Sequence, residues 1–406
     1  MENMETDNLL KKSEVYLHML CNEIADRSVG SEGNRAATRY LEKISSSLGW
    51  ATETQQFEAM DWIDGGASLR CGEVSFQVYI SPYSLGCDVE GQLISASNVE
   101  ELEQANMTGK LLLLQGEIAK EQLMPKNFVF YNPEEHQQII SLLEKGAPRA
   151  IICATGRNAS LAGGVYPFPL IEDGDFDIPS VYMTEDEGYR LLPYTGSSVA
   201  LKSISKRVPG KGCNVIARKG KESGGRMVIT AHIDAKKGTP GAIDNASGVV
   251  ILLLLADLLK DHDGNKLIEI VALNGEDYYA VPGQMLYIKH NQDRFDEILL
   301  NMNMDGAGYK EGKSAFSFYG LPQEMEKEIR EVISHFDGIT VGSEWVQGDH
   351  SIFIQHGCPA VAVSSQWFTD HIDSQDITHT PKDNIDIVDY LKLVEIAQAL
   401  NQFIRI

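Results

Sequence analysis

Side chains that suit a metal ion recur through the C-terminal half of the chain. They are His232 in AHIDA, Asp244 in GAIDNASG, Asp277 in NGEDYY, Asp305 in NMDGAG and His379 in THTPKD. Each lies at the end of an apolar run typical of a strand, or in the loop just after one. Open α/β sheets place their binding sites in such loops. Imidazole and carboxylate together suit zinc or a similar divalent ion. The pattern therefore predicts one metal site.

The number of these side chains indicates two ions. A single catalytic zinc usually takes about three protein ligands and a water. Two histidines and three carboxylates better suit two ions about 3.5–4 Å apart, bridged by one carboxylate. A water bridging two such ions would be a nucleophile near neutral pH.

Two further acids complete the predicted chemistry. Glu276 is adjacent to Asp277, and neighbouring acids in a loop point in different directions, so Glu276 stays free to act as a general base and to pass a proton to a leaving amine. Asp234 follows His232 by two residues and shares its side of the strand, so it is expected to orient the imidazole. The sequence contains neither a GxSxG motif nor a P-loop. These residues predict amide hydrolysis without a protein nucleophile.

The elements that position these residues alternate between strand and helix from Asn214 onward. The runs RMVITAHI, KLIEIVALN, EILLNMNM and PAVAVSS are apolar on both faces, as central strands are. SGVVILLLLADLLK is apolar nearly all round, which predicts a buried helix, whereas PQEMEKEIREVISHF is amphipathic. This alternation predicts a largely parallel sheet with helices on both faces, a three-layer α/β/α fold.

The rest of the chain divides in two. Residues 7–48 read as two helices, with Ser31 as a cap for the second and Gly49 at its end. Residues 62–212 contain short strands, many turns and one amphipathic segment, PEEHQQIISLLEKGA, whose His136 is expected on a solvated face. We therefore predict a catalytic domain of residues 1–61 and 213–406, interrupted by a β-rich domain of residues 62–212.

Composition limits the partners and the location. The 406 residues carry a net charge of −23, which should repel nucleic acid and anionic membranes. The opening segment lacks the apolar core of a signal peptide, and the longest apolar run, Val249 to Ala256, is too short to span a bilayer. The six cysteines include no CxxC pair and are expected to be reduced thiols. These features predict a cytoplasmic protein and leave its oligomeric state open.

The motifs together resemble a known family. H-x-D, D-N-x-S-G, N-G-E-[ED], N-x-D-G, D-H and H-T-P-x-D are similar to those of the co-catalytic two-zinc aminopeptidases, of the bacterial leucyl aminopeptidase and aminopeptidase Y type. The resemblance runs through the C-terminal half and reaches the opening helices through RSVGSEGN. The middle segment, with TGKLLLLQG and DIPSVYMTEDEGYRLL, resembles the protease-associated domain often inserted in this family. The implied fold is the zinc-exopeptidase sheet with that insertion.

The resemblance also implies a role for each residue. Asp244 would bridge two zinc ions, His232 and Asp305 would complete one site, and Asp277 and His379 the other. Glu276 matches the general base, and Asp234 the residue that orients a ligand. The family usually has Glu where this chain has Asp277, and the shorter side chain affects how that metal is held.

Other positions are expected around the ligands. Asp349, in GDHSIF, matches a supporting acid of the family, and His350 accompanies it, although a purely structural histidine would fit as well. Trp345, Trp367 and Phe368 are candidates for the substrate pocket, and as aromatic residues they fit the core equally.

These observations favour an aminopeptidase that hydrolyses the N-terminal peptide bond of short peptides. Glutaminyl cyclases of the same superfamily place Trp before the last histidine, where this chain has Thr378. A carboxypeptidase needs cations for the substrate carboxylate, and there is no arginine between Arg330 and Arg405. An inactive receptor-like or scaffolding relative would be expected to have lost ligands.

Overall fold

The computed structural model describes residues 2–24, 26–157 and 164–406. The chain forms two compact units, one of Met1–Ala59 with Lys211–Ile406 and one of Met60–Gly210. The second unit begins and ends two residues before the limits expected from the sequence, 62 and 212. Both boundaries fall inside long strands, β1 and β8.

The strands are β1 (Ala51–Cys71), β2 (Val74–Phe76), β3 (Tyr79–Ile80), β4 (Cys87–Ala96), β5 (Leu111–Leu114), β6 (Ala150–Thr155), β7 (Ser180–Thr184), β8 (Ser198–Lys219), β9 (Arg226–His232), β10 (Leu267–Leu273), β11 (Ile298–Met304), β12 (Ser314–Tyr319), β13 (Ile339–Val341) and β14 (Ala360–Ser365). The α-helices are α1 (Glu2–His18), α2 (Glu32–Ser47), α3 (Val99–Gln104), α4 (Glu134–Gly146), α5 (Glu185–Leu191), α6 (Ser247–Leu258), α7 (Pro282–Asn291), α8 (Gln323–Ile333), α9 (His350–Gln355), α10 (Gln366–Asp370) and α11 (Tyr390–Ile404). None of the helices in the described residues is long and apolar enough to cross a membrane.

The sheet of the first unit has the strand order β13-β12-β14-β11-β9-β10-β8. The four central strands, β14, β11, β9 and β10, are mutually parallel. The strands beside them, β12 and β8, run antiparallel to β14 and β10. The α/β class and the mainly parallel centre predicted from the sequence are confirmed.

The pattern of apolar residues explains which strands and helices of the first unit are buried. Every residue of β9, β10 and β14 is buried, because helices cover the sheet on both sides. Helix α6 is buried from Ser247 to Asp257, as expected for a segment apolar all round. Helix α8 buries only Ile329, Val332 and Ile333, the helical spacing of a single apolar face.

Helix α2 begins as its sequence predicts. The Ser31 side chain accepts a hydrogen bond of 3.0 Å from the backbone N–H of Asn34, which satisfies a donor of the first turn. The chain leaves the helix at Gly49, whose φ of +78° favours glycine. Helix α2 contacts α6, which in turn contacts strand β9 of the sheet.

The second unit is built around parallel strands β4, β5, β6 and β7. Alternate residues of β5 and β6 serve two apolar clusters: Leu112 and Ile151 belong to one, Leu111 and Ile152 to the other. Side chains of successive strand residues point to opposite faces, so both faces of these strands are covered.

The expectation for His136 was wrong. The residue is 4% exposed, and its Nδ1 accepts a hydrogen bond of 3.1 Å from the backbone N–H of Met124. Helical periodicity placed it on the polar face of α4, but the chain around Met124 folds over that face.

Candidate metal centre

The predicted ligands meet at the point where the strand order reverses. The chain passes from β9 to β10 on one side and later to β11 on the other. His232 ends β9 opposite Leu273 of β10, and Asp305 follows the last residue of β11. The carboxyl ends of these parallel strands lie at one edge, which is where such sheets place their sites.

Asp244 lies between the two histidines. Its Oδ1 is 3.1 Å from Nε2 of His232, and its Oδ2 is 3.0 Å from Nε2 of His379. Nε2 of His232 also lies 3.7 Å from Oδ1 of Asp305, and that of His379 lies 3.1 Å from Oδ1 of Asp277. The structure therefore brings together all five predicted ligands, in two clusters that share Asp244.

These residues fit a pair of cations. The donor atoms form two groups, and within each group they lie within 4.8 Å of one another. One group contains His232, Asp244 and Asp305, and the other contains Asp244, Asp277 and His379. Oδ2 of Asp277 is buried without a hydrogen-bond partner among the described residues, and Nε2 of His232, although 3.1 Å from Oδ1 of Asp244, forms no aligned hydrogen bond with it. Buried polar atoms rarely stay unpaired unless they serve an ion, a water or a reaction. Imidazole with carboxylate is the donor set of zinc sites.

The charges at the two histidines are strongly linked to those of the acids. Burial alone would lower the pKa of His232, but the carboxylates of Asp234, Asp244 and Asp305 raise it well above its ordinary value. Burial likewise opposes the charge of Asp244, yet His232 and His379 hold its pKa far below the usual range. Protons on the imidazoles thus offset the acids, and a bound cation would replace those protons.

Glu276 lies beside this cluster. A carboxylate oxygen of Glu276 is within 4.8 Å of donor atoms of His232 and Asp277. Burial raises the pKa of Glu276 well above its usual range, and nearby carboxylates, Asp277 first among them, raise it further. A carboxylate in such surroundings accepts a proton readily, as a general base must.

Asp234 fixes the turn that carries Glu276. Its carboxylate accepts hydrogen bonds from the backbone N–H groups of Gly275, at 2.8 Å, and Asp277, at 3.0 Å. Nδ1 of His232 lies 3.2 Å from the backbone oxygen of Asp234 and 3.7 Å from its carboxylate. Asp234 thus contacts His232 mainly through its backbone, while its side chain holds the neighbouring loop.

Asp349 and His350 lie at the start of α9 and are both buried. Asp349 accepts a hydrogen bond of 3.0 Å from the side-chain amide of Gln284, and burial raises its pKa to about 7. Nε2 of His350 lies 3.0 Å from the backbone oxygen of Trp345, to which it donates. His350 therefore supports the loop that carries Trp345.

Trp345 borders the cluster. A Cβ added to Gly348 would lie 2.9 Å from Oδ2 of Asp305 and 3.1 Å from the ring of Trp345. Only glycine leaves room for that approach, and its φ of +102° also favours glycine. The hydroxyl of Tyr319 donates to the backbone oxygen of Trp345 at 2.6 Å, which holds the indole at this place.

The other two aromatic candidates lie in a separate group around Tyr309. The ring centroid of Trp367 is 4.8 Å from that of Tyr309, and the centroid of Phe368 is 5.0 Å from it. Phe368 is 8% exposed and belongs to the core. Trp367 also stacks on His371, with centroids 4.5 Å apart. Their contact with a substrate stays a prediction.

Asp383 is a further acid at the site, and the sequence pattern did not predict a role for it. This buried acid accepts hydrogen bonds from the backbone N–H groups of Ile243, at 2.7 Å, and Asp244, at 3.0 Å. Burial raises its pKa to about 7. The signal was present, because Asp383 is the last residue of the H-T-P-x-D motif.

The part of the chain that contains the site is similar to a known protein family. Residues 214–404 match the sequence model of peptidase family M28. The matched residues make up just under half of the chain, and over them the chain is similar to that family. The match includes all five candidate ligands and confirms the family that the motifs indicated.

Proteins similar to this chain are found both among known sequences and among solved structures. Aminopeptidase YwaD of Bacillus subtilis (strain 168) is 22% identical over 229 residues, which cover 54% of this chain and 49% of that protein. The chain spans about half the length of the curated relatives it matches.

Two solved structures share the fold over nearly the whole chain. The aminopeptidase from Aneurinibacillus sp. strain AM-1 has a TM-score of 0.75 at 20% identity, covering 97% of this chain and 93% of that one. BSAP, a zinc aminopeptidase from Bacillus subtilis, has a TM-score of 0.73 at 18% identity, covering 97% and 94%. These likenesses show that the M28 region and the rest of the chain share the fold of those proteins.

Proposed function

We propose that the protein is a metal-dependent aminopeptidase that removes the N-terminal residue of short peptides. One observation carries the proposal: the two carboxylate oxygens of Asp244 face different histidines, at 3.1 and 3.0 Å, with Glu276 beside them. That is the arrangement of a carboxylate shared by two cations with a free acid at hand.

We propose zinc as the ion and two ions per chain. His232, Asp244 and Asp305 would hold one ion, and Asp244, Asp277 and His379 the other. The donor types support zinc, and a structural neighbour is described as a zinc aminopeptidase. When bound, such a pair supplies an acidified water and a Lewis acid for the scissile carbonyl.

The remaining chemistry belongs to the chain itself. Glu276 takes the proton of the attacking water on its carboxylate and delivers it to the nitrogen of the leaving amine, so no covalent intermediate with the protein forms. Asp234 keeps Glu276 in reach by holding both flanking N–H groups. The ring of Trp345 lies on the side of the cluster next to Asp305.

The charge of the site favours the amino end of a peptide. Glu276 and Asp305 lie together at the cluster, and the whole chain carries a net charge of −23. Such a field attracts an ammonium group and repels a carboxylate. The relatives named aminopeptidases support the same choice over the cyclase and carboxypeptidase alternatives.

Matched substrates test the proposal. A dipeptide with a free α-amine should be hydrolysed, and amidating its C-terminus should leave the rate similar, whereas acetylating its amine should suppress cleavage. Cleavage of the acetylated peptide together with loss of the amidated one would contradict the aminopeptidase assignment and favour a carboxypeptidase.

Two further expectations remain predictions. The unit of Met60–Gly210 is proposed to be a protease-associated domain, supported by its parallel strands and its place between the two parts of the first unit. A cytoplasmic location is also proposed, supported by six free cysteines.

A further inference from the structure

Arg27 is a buried cation that lies outside residues 214–404, the part matched to family M28. The residue is 2% exposed. Its guanidinium donates four hydrogen bonds, all to backbone carbonyls: Nε to Ile233 at 3.1 Å, Nη1 to Leu20 and to Pro240 at 2.8 Å, and Nη2 to Gly241 at 2.8 Å. Burying a charge costs free energy unless it is bonded, so these four carbonyls fix where the group lies.

Three of the four carbonyls belong to the loops of the metal centre. Ile233 directly follows His232, and Pro240 and Gly241 lead into the turn that carries Asp244. One planar group therefore ties the end of β9 to the turn before α6. The contact is close: a Cβ on Gly241 would lie 2.9 Å from Nη2 of Arg27.

Asn34, at the start of α2, holds the third loop. Its amide exchanges hydrogen bonds with the amide of Asn274, at 2.8 and 2.9 Å. Asn274 directly precedes the turn that carries Glu276 and Asp277. Nδ2 of Asn34 also donates to the backbone oxygen of Arg27 at 2.9 Å, so the two anchors support each other.

We propose that Arg27 and Asn34 are positioning residues of the metal centre. Neither contacts the donor atoms; Arg27 sets the distance between the backbones of His232 and Asp244, and Asn34 sets the turn of Asp277. Ligands held in place before an ion arrives bind it more tightly. The inference rests on the proposed function in one respect, namely that the ion bound by these ligands is zinc.

Arg27→Lys tests the anchor against a matched control, Arg226→Lys. Lysine keeps the charge but lacks the planar fork that reaches several acceptors at once. Arg226 is also 2% exposed, donates to Asn291 and to the backbone oxygen of Arg294, and begins β9, whose other end is His232. Both variants lose a buried guanidinium that lies at one end of β9: Arg226 begins the strand, and Arg27 donates to Ile233 just after it. Only the loss of Arg27 lies at the metal centre.

The full chain is stripped of metal, and its zinc affinity is measured by titrating zinc in competition with a chromophoric chelator. The melting temperature of the metal-free protein is measured for each variant as well. Arg27→Lys should weaken zinc binding roughly 10–100-fold, the usual loss when a residue supporting metal ligands is changed. Arg226→Lys should lower the melting temperature without changing zinc affinity. Asn34→Ala is the second variant, and should weaken zinc binding even if Arg27→Lys fails to fold.

Three results would overturn the proposal. Arg27→Lys and Asn34→Ala with the zinc affinity of the wild type would exclude a positioning role. Equal losses in Arg27→Lys and Arg226→Lys would mean general destabilisation. A wild-type protein that binds no zinc would refute the proposed metal centre itself, and the positioning roles of Arg27 and Asn34 with it. A zinc-loaded wild type that does not cleave peptides would refute only the proposed function.

Discussion

The carboxylate of Asp383 accepts a hydrogen bond of 3.0 Å from the backbone N–H of Asp244, the residue that faces both histidines of the cluster. Its other oxygen accepts from the N–H of Ile243 at 2.7 Å. Asp383 is fully buried, so it is a rigid acceptor for two successive peptide groups. The position of Asp244 thus depends on an acid four residues beyond His379.

We expect Asp383→Asn to destabilise the metal-free protein and to weaken zinc binding. The amide offers one oxygen and places an NH₂ group against a backbone N–H, which leaves a buried donor unpaired at a cost of about 1–3 kcal/mol. Chemical unfolding and zinc titration measure the two effects. Asp389→Asn is the control, since Asp389 makes a similar bond to the N–H of Leu391 at an exposed helix start. Unchanged stability and affinity in Asp383→Asn would contradict this role.

Glu276→Gln should abolish peptide turnover and leave the metal content nearly unchanged. The amide has the size of the carboxylate but cannot accept the proton of water, and the loss of a general base lowers rates by roughly 10²–10⁴. Steady-state kinetics and metal analysis of the same sample measure both. Glu344→Gln removes the same charge from the exposed position next to Trp345 and should keep its activity. Near-normal turnover in Glu276→Gln would mean that another group is the base.

The protein should bind two zinc ions per chain. Asp244 offers one oxygen to each half of the cluster, so both halves have enough ligands. Metal analysis after chelator stripping, refilling and desalting gives the stoichiometry. Asp244→Ala should reduce it because the shared ligand is lost from both halves. Saturation of the wild type at one ion would refute the pair and favour the cyclase alternative.

The ion held by Asp277 and His379 should be the weaker of the two. Aspartate is one methylene shorter than the glutamate usual in the family, and the backbone N–H of Asp277 is already tied to Asp234 at 3.0 Å, so the loop has little freedom to move closer. Zinc–oxygen bonds of about 2.0–2.2 Å tolerate little stretch. Titration of the metal-free protein should give two separate affinities, which Asp277→Glu should bring together.

Asp305→Glu is the control for this last comparison, because it lengthens an acid of the other half of the cluster and should not tighten the weaker site. If Asp277→Glu binds both ions no more tightly than the wild type, the shorter side chain has no effect on affinity and a backbone shift compensates for it.

Much of the centre could be predicted from the sequence. His232 ends one largely apolar run and Asp305 follows another. Such runs become parallel central strands whose carboxyl ends share one edge of the sheet. Their types and order therefore sufficed to predict a common site. The burial of α6 followed in the same way, because Val249–Leu255 offers no polar face.

Other features depended on contacts between residues far apart in the chain. Arg27 lies 206 residues from Ile233, and no periodicity indicates which carbonyls a buried guanidinium meets. His136 occupies a polar helical position and is nevertheless buried, since the chain around Met124 covers it.

The sequence by itself determined which side chains have metal chemistry and which strands place them at one edge, because residue type and apolar pattern are local properties. Only the tertiary structure decided that Asp383 holds the backbone of Asp244, that Asp234 holds the turn of Glu276, and that Arg27 joins two loops. These relationships depend on loop paths and side-chain directions, which are set by packing and hydrogen bonds between distant segments.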